Sequence, residues 1–232
     1  MDKSGKAFRI TAIIFMGLTA AMNLLGGSGT SCAAFSNNVG YRMAFKEIMD
    51  YRWVYQGLVI TTVAIGLVGI WATIKLVRGG PTVYRNALYV LIIGSLLGGV
   101  QFYASMTLRG AATPANVKFF TNVFTLIVFL LLKVPGIREK VDFSEPGNEK
   151  SEKASVGGMA AILAGIVILT VFTWAGPSHT FYGENWVYVF YTPLMVSGTM
   201  LVTGGIAALM WGAKEMFSQE VGQPKLELSE SK

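Results

Sequence analysis

The sequence predicts an all-α fold, a polytopic integral membrane bundle of six transmembrane helices with both termini cytoplasmic. Three observations carry that expectation. First, the 232 residues are 53% hydrophobic and only 14% charged, against about 25% charged residues in ordinary soluble domains. Second, the apolar residues fall in long blocks with the charges clustered between them, and the mean hydropathy is +0.52. Third, the basic residues are spread unevenly over the segments that join the blocks. A chain of this kind is matched to lipid, because it has too little charge to coat a surface facing water.

The blocks can be taken in order. A crossing helix needs about 20 largely apolar residues, since the rise is about 1.5 Å per residue and the hydrocarbon core about 30 Å thick. Segments 8–25, 54–74, 87–106, 156–174 and 193–211 meet that demand. The remaining block, "FFTNVFTLIVFLLL", is 14 residues long. It spans if extended to 115–134, with Lys118 and Lys133 snorkelling from its two ends.

Charge tests the count. With six crossings and a cytoplasmic start, the inside segments and Arg9 hold 14 of the 19 Lys and Arg. The outside keeps Arg42, Lys46, Arg52, Arg109 and Lys118. That asymmetry follows the positive-inside rule. Trp53, Trp174 and Trp186 fall at outer span ends and Trp71 and Trp211 near inner ends, as an aromatic belt requires. The net charge of +6 and pI of 9.4 therefore read as topology. The lipid bilayer of a cell membrane is the expected partner, and nucleic acid is not, because no basic cluster lies on a soluble domain.

Residues 1–213 read as one domain and 214–232 as a polar cytoplasmic tail. Between the first two spans, 26–52 reads as an outer loop. Gly26 and Gly27 are expected to end the first helix, and the small residues of "GGSGTSCAAFSNN" to form a membrane-surface turn. Further on, Phe45, Ile48, Met49 and Arg52 recur at helical spacing, predicting either a short amphipathic helix in the outer interface or an early extension of span two. The loop 133–155 is rich in mixed charge and shows no sign of a folded domain. Thr192 and Pro193 suit the N-cap and first position of the last span.

Small residues four apart let helix backbones approach closely. They occur as Gly94 and Gly98; as Gly157, Ala161 and Gly165; and as Gly204, Ala208 and Gly212. These stripes predict a compact bundle, or association with other membrane helices or in a homodimer.

Most chemistries are excluded by what is missing. The sequence has no CxxC, no CxxCH, no Walker motif and no dinucleotide fingerprint. His179 is the one histidine and Cys32 the one cysteine, so no metal site, no cofactor and no catalytic motif is expected. An enzyme would have to rest on Cys32, His179 and Glu184, which are scattered in sequence. No Asp or Glu lies inside an expected span, which argues against a proton-coupled carrier. Cys32 has two readings beyond the turn. It is a lipidated thiol if "GTSC" closes a signal segment, or a reactive one if a cation or helix end stabilises its thiolate.

One polar pattern remains. Gly94, Gly98, Gln101, Ser105 and Arg109 lie on one face of span three, and Lys118, Asn122 and Thr125 on one face of span four. Antiparallel packing of the two spans would gather Gln101, Ser105, Asn122 and Thr125 in the outer half, with Arg109 and Lys118 at the mouth. Such a group is either a pocket for a small polar or anionic ligand, or hydrogen-bonding glue between helices, the commoner use. His179, Tyr182, Glu184 and Trp186 lie in an aromatic loop placed to cover it. Two functions follow: binding or translocation of a small polar or anionic solute, or a non-catalytic accessory subunit of a membrane complex. The topology has a direct check. Impermeant cysteine labelling of tagged ends in sealed vesicles should find both termini on the cytoplasmic face, and ends on opposite faces would overturn the six-span count.

Overall fold

The computed structural model describes residues 3–37, 39–145, 150–176, 180–181 and 183–221. Its elements are α1 (Lys3–Phe35), α2 (Val39–Ala44), a 3-10 turn (Lys46–Tyr51), α3 (Arg52–Arg78), α4 (Val83–Arg109), α5 (Ala115–Leu131), α6 (Lys150–Leu169) and α7 (Val171–Trp174). A minimal hairpin pairs β1 (Thr180–Phe181) antiparallel to β2 (Glu184–Asn185). A second 3-10 turn (Trp186–Phe190) leads into α8 (Tyr191–Val221).

This is a helical, membrane-type bundle. Four helical stretches are long and apolar enough to cross a bilayer: Ser4–Phe35, Lys46–Arg78, Val83–Arg109 and Val187–Lys214. Two more, Ala115–Leu131 and Lys153–Leu169, are apolar but shorter. Helix α5 has 17 residues, or roughly 25 Å at 1.5 Å per residue, because it runs into turns on Leu130 O, Leu131 O and Val134 O. The fifth expected span is likewise interrupted, with α6 stopping at Leu169 and the chain restarting as α7 after Thr170.

Helices α1, α3, α4 and α5 form the main cluster, in which α1 lies against α3 and α5, and α4 against the same two. The α6–α8 pair joins this cluster chiefly where α6 meets α1. Helix α1 does not end at Gly26–Gly27. It continues for two more turns, and the glycines serve contact instead of termination. A side chain on Gly27 would stand 2.7 Å from Val63 Cγ2, and one on Gly26 would stand 3.1 Å from Lys118 Cδ. The small polar residues are also compatible with helix. Thr30 donates to Gly26 O at 2.7 Å and Ser31 to Gly27 O at 3.0 Å, each one turn back. Cys32 is therefore helical in backbone, and its side chain lies outside the described residues.

The segment expected to lie in the interface folds under the end of the bundle. Phe45 and Ile48 are buried with Ala33, Ala34, Tyr55 and Val59. Arg52 fastens the segment by donating to Ala34 O at 2.8 Å and Ser36 O at 3.0 Å. The opposite end is closed by an apolar cluster that includes Ile13, Met16, Leu76, Leu91, Phe129 and Phe143. Phe143 comes from the loop expected to be featureless. Its ring lies 5.7 Å from Tyr84, and the Arg9 guanidinium sits 5.8 Å from its centroid. Arg9 also donates to Leu76 O and Asp142 O. Ser144 gives Asp142 two hydrogen bonds at 2.7 Å that hold its carboxyl below the usual range, with Arg9 nearby adding to the effect. The stability this group adds is present at neutral pH and is lost as pH falls through that depressed value.

The glycine stripes resolve unequally. Gly94 and Gly98 pack against Asn122 and Phe119, so this motif is the α4–α5 seam. On α6 and α8 the seam keeps Gly165 of the expected stripes but falls one residue away from Gly157 and Gly204. Gly158 meets Gly205 and Gly165 meets Gly198, at hypothetical side-chain distances of 2.6–3.2 Å to backbone carbonyls, whereas Gly157 and Gly204 have nothing within 4 Å. The last helix begins at Tyr191, continuous with the preceding 3-10 turn, so Thr192 is not its cap. Asn185 caps that turn by accepting from Val187 N at 3.0 Å. Gly158→Leu should destabilise the fold by about 1–3 kcal/mol in reversible detergent unfolding, while Gly157→Leu should leave it unchanged. Equal effects would show that the α6–α8 seam is wrongly assigned.

Candidate functional site

Polar side chains cannot face hydrocarbon without cost, so the interior of the α1–α3–α4–α5 cluster collects them. From one end, the Thr19 and Thr125 hydroxyls meet at 2.7 Å. Next, the Asn23 and Asn122 amides exchange two hydrogen bonds, at 3.3 and 3.1 Å. Asn122 fits because Gly94 has no side chain where its Oδ1 lies. Above it, Lys118 is 1% exposed. Its Nζ donates to Thr62 Oγ1 at 2.7 Å and to Gln101 Oε1. Gln101 Nε2 donates to Thr30 Oγ1 at 3.2 Å, and Ser105 pairs with the Tyr55 hydroxyl at 3.2 Å. Arg109 closes the series, its guanidinium 4.7 Å from the Phe45 ring, within cation–π range.

The structure therefore brings Gln101, Ser105, Lys118, Asn122 and Thr125 together as buried groups, with Arg109 half-buried at one end. The geometry departs from the sequence expectation in two respects. Lys118 neither snorkels nor sits at a mouth; the glycines on α1 let its stem lie against Gly26 and its ammonium turn inward. Nor do α4 and α5 enclose a pocket by themselves. Gly98 lies against the Phe119 backbone, and Phe102 stacks on Phe119 with centroids 5.6 Å apart. Half of the polar partners come from α1 and α3. Thr19, Asn23, Gly26 and Thr30 do share one helical face in the sequence, as do Tyr55 and Thr62. The expected helix end at Gly26 hid the first pattern. Of the polar residues on the last helix, Ser197 and Thr203 are exposed and bond their own helix one turn back. Among the covering-loop residues, His179 and Tyr182 lie outside the described residues, and for Glu184 and Trp186 only the backbone is described.

Two voids adjoin this polar column. The small one, about 20 Å³, is lined by Thr30, Tyr55, Gln101, Ser105 and Arg109 among others, with room for about one water-sized group. The large one, about 310 Å³, lies between α1 and α5 on one side and α6, α7 and the start of α8 on the other. Its walls include Met22, Leu25, Val167, Ile168, Trp174 and Leu194. Ligand sites begin at about this volume and are mostly apolar. Gly29, Phe45 and Pro114 line both voids, which therefore share a wall. Among the described residues, no Asp or Glu lines either of them. Among the described residues, no cluster of His, Cys, Asp and Glu suited to a metal occurs.

Comparison with known protein families, with curated proteins and with solved structures finds no match to this chain. The column's energetic role can be measured by itself. A double-mutant cycle on Asn23→Ala and Asn122→Ala in detergent unfolding should give a coupling of about 0.6–2 kcal/mol. Zero coupling would mean that each amide has an equally good alternative partner.

Proposed function

We propose that this chain is a six-span membrane protein, with both ends cytoplasmic, that binds a lipophilic molecule in the cavity between its main helix cluster and the α6–α8 pair. The observation that carries this reading is the 310 Å³ apolar cavity at the joint between the two groups of helices. Tight packing elsewhere makes that void distinctive, because helix seams at Gly66, Gly69, Gly158, Gly165 and Gly205 leave no room for one added carbon. The joint rests mainly on α6 against α1, so the pair can shift slightly to admit a guest from the surrounding lipid. Support for six crossings comes from the basic-residue asymmetry, with α5 and α6–α7 as the two shorter rods.

This reading keeps ligand binding and moves its place. The polar column of α4 and α5 is hydrogen-bonded across helices and has space for about one water-sized group beside it. It frames the cavity and is not itself a solute path. A second reading, an accessory subunit, draws on α8. Of the four long apolar stretches, the one in α8 is the least covered, with 11% of its window buried. Thr199, Thr203, Gly204 and Ala207 are exposed along it. A specific complex recovered in mild detergent would favour that role.

The test is to fill the void. Leu194→Trp places extra volume in the cavity wall. It should leave unfolding within about 1–2 kcal/mol of the wild type while abolishing the apolar molecules that native mass spectrometry finds co-purifying with the parent protein. An empty parent protein, with no melting shift across a panel of lipophilic compounds, would sink the reading.

A further inference from the structure

We infer that the ligand of the large cavity is a lipophilic acid: a single apolar chain or ring ending in one carboxylate, one oxygen of which enters the small void beside Arg109. This inference rests on the cavity reading above and adds the chemistry of the head.

The argument is a count of donors and acceptors around the small void. The Gln101 and Thr30 side-chain oxygens each already accept a hydrogen bond. Gln101 Oε1 takes the Lys118 ammonium, and Thr30 Oγ1 takes the Gln101 amide while its own hydrogen goes to Gly26 O. The donors are in surplus. Gln101 has two amide hydrogens and spends one, on Thr30. Tyr55 and Ser105 bring two hydroxyl hydrogens and share one hydrogen bond, so whichever donates, one hydrogen has no acceptor among the described residues. Both residues are at least 97% buried. The Arg109 guanidinium adds five N–H donors and a positive charge, set against the Phe45 ring. A buried donor without an acceptor is costly, and three groups here face one small space. The space is built for an acceptor oxygen, and Arg109 favours a negative one.

Size selects the head group. About 20 Å³ admits one oxygen-sized atom, so one oxygen of the head enters and the rest of the head stays at the wall shared with the large cavity, where a flat carboxylate needs less room than a tetrahedral phosphate. In this arrangement one carboxylate oxygen sits among Gln101, Ser105, Tyr55 and Arg109, and the carboxyl carbon with its second oxygen stays at the Gly29–Pro114 wall shared with the large cavity. Position selects the body. The void shares Gly29, Phe45 and Pro114 with the apolar cavity. At Gly29 the only atom within 4 Å of an added carbon is Pro114 Cγ, at 3.6 Å, so the passage between head and tail runs past a missing side chain.

The experiment uses the full chain in phosphatidylcholine nanodiscs. Brominated dodecanoate serves as probe, because Trp174 lines the cavity and bromine quenches its fluorescence; Trp174→Phe removes that signal and marks the site. Competitors are dodecanoate, dodecanol, dodecyltrimethylammonium, dodecyl phosphate and acetate. Dodecanoate should displace the probe about tenfold more tightly than dodecanol, with the ammonium, the phosphate and acetate weaker still. Arg109→Gln, and separately Ser105→Ala with Tyr55→Phe, should bring dodecanoate and dodecanol within about twofold of each other, leaving dodecanol where it was. Gly29→Val should do the same by blocking the passage. Equal binding of dodecanoate and dodecanol by the parent protein, or tighter binding of the ammonium or the phosphate, overturns the head assignment and leaves the cavity reading standing. Acetate binding as well as dodecanoate overturns the single-ligand arrangement. No binding by any chain-bearing competitor overturns the cavity reading itself.

Discussion

Lys118 sits at the centre of four helices with its amino group held, among the described residues, by the neutral oxygens of Thr62 and Gln101. In hydrocarbon, an ammonium that cannot reach the headgroups must be ligated by the protein. That demand fixes much of the arrangement. Thr62 brings in α3 and Gln101 brings in α4. Gln101's own amide then needs Thr30, which brings in the far end of α1. One buried cation thereby fixes the register of four helices relative to one another. Asn23–Asn122 and Thr19–Thr125 repeat the same logic at successive turns.

The glycines make that ligation geometrically possible. Gly26 lets the lysine stem pass, and Gly94 accepts the Asn122 amide. Gly66 and Gly69 bring α3 onto Leu24 and Ala20 of α1. Without close backbone approach, side chains as short as Thr and Asn could not reach across a helix pair. Packing and polar pairing are one device here, since each small residue opens the space that a polar partner fills.

The two helix groups differ in what holds them. The main cluster has polar cross-links and apolar ends closed by Phe143 on one side and Phe45 on the other. The α6–α8 pair is joined by Gly158–Gly205 and Gly165–Gly198 contacts with Ile162, Leu169, Val202 and Leu209 packed beside them, while Ser197 and Thr203 bond back to their own helix. The contact of this pair with α1 is smaller than the contact within the pair, and the void lies at that boundary. Its polar edge is supplied from the other side, by the donors around Gln101 and Arg109.

By itself the sequence determined the helical, lipid-matched character of the chain, the positions of the long apolar rods and the membership of the polar face on α4 and α5. Those properties follow from hydropathy and from the 3.6-residue period, which are local. The end of α1 was misread because glycine both stops helices and lets them touch, and only a neighbour decides which. Val63 and Lys118 made that decision for Gly26 and Gly27. The same holds for the seam glycines, where Gly158 and Gly157 are adjacent and alike until α8 chooses one. Tertiary structure alone decided that Lys118 points inward, that Tyr55, Thr62 and Thr30 join its column, and that the open space lies beside α6–α8. Each of these is a contact between distant segments, set by which surfaces fit without overlap, and no local pattern encodes that.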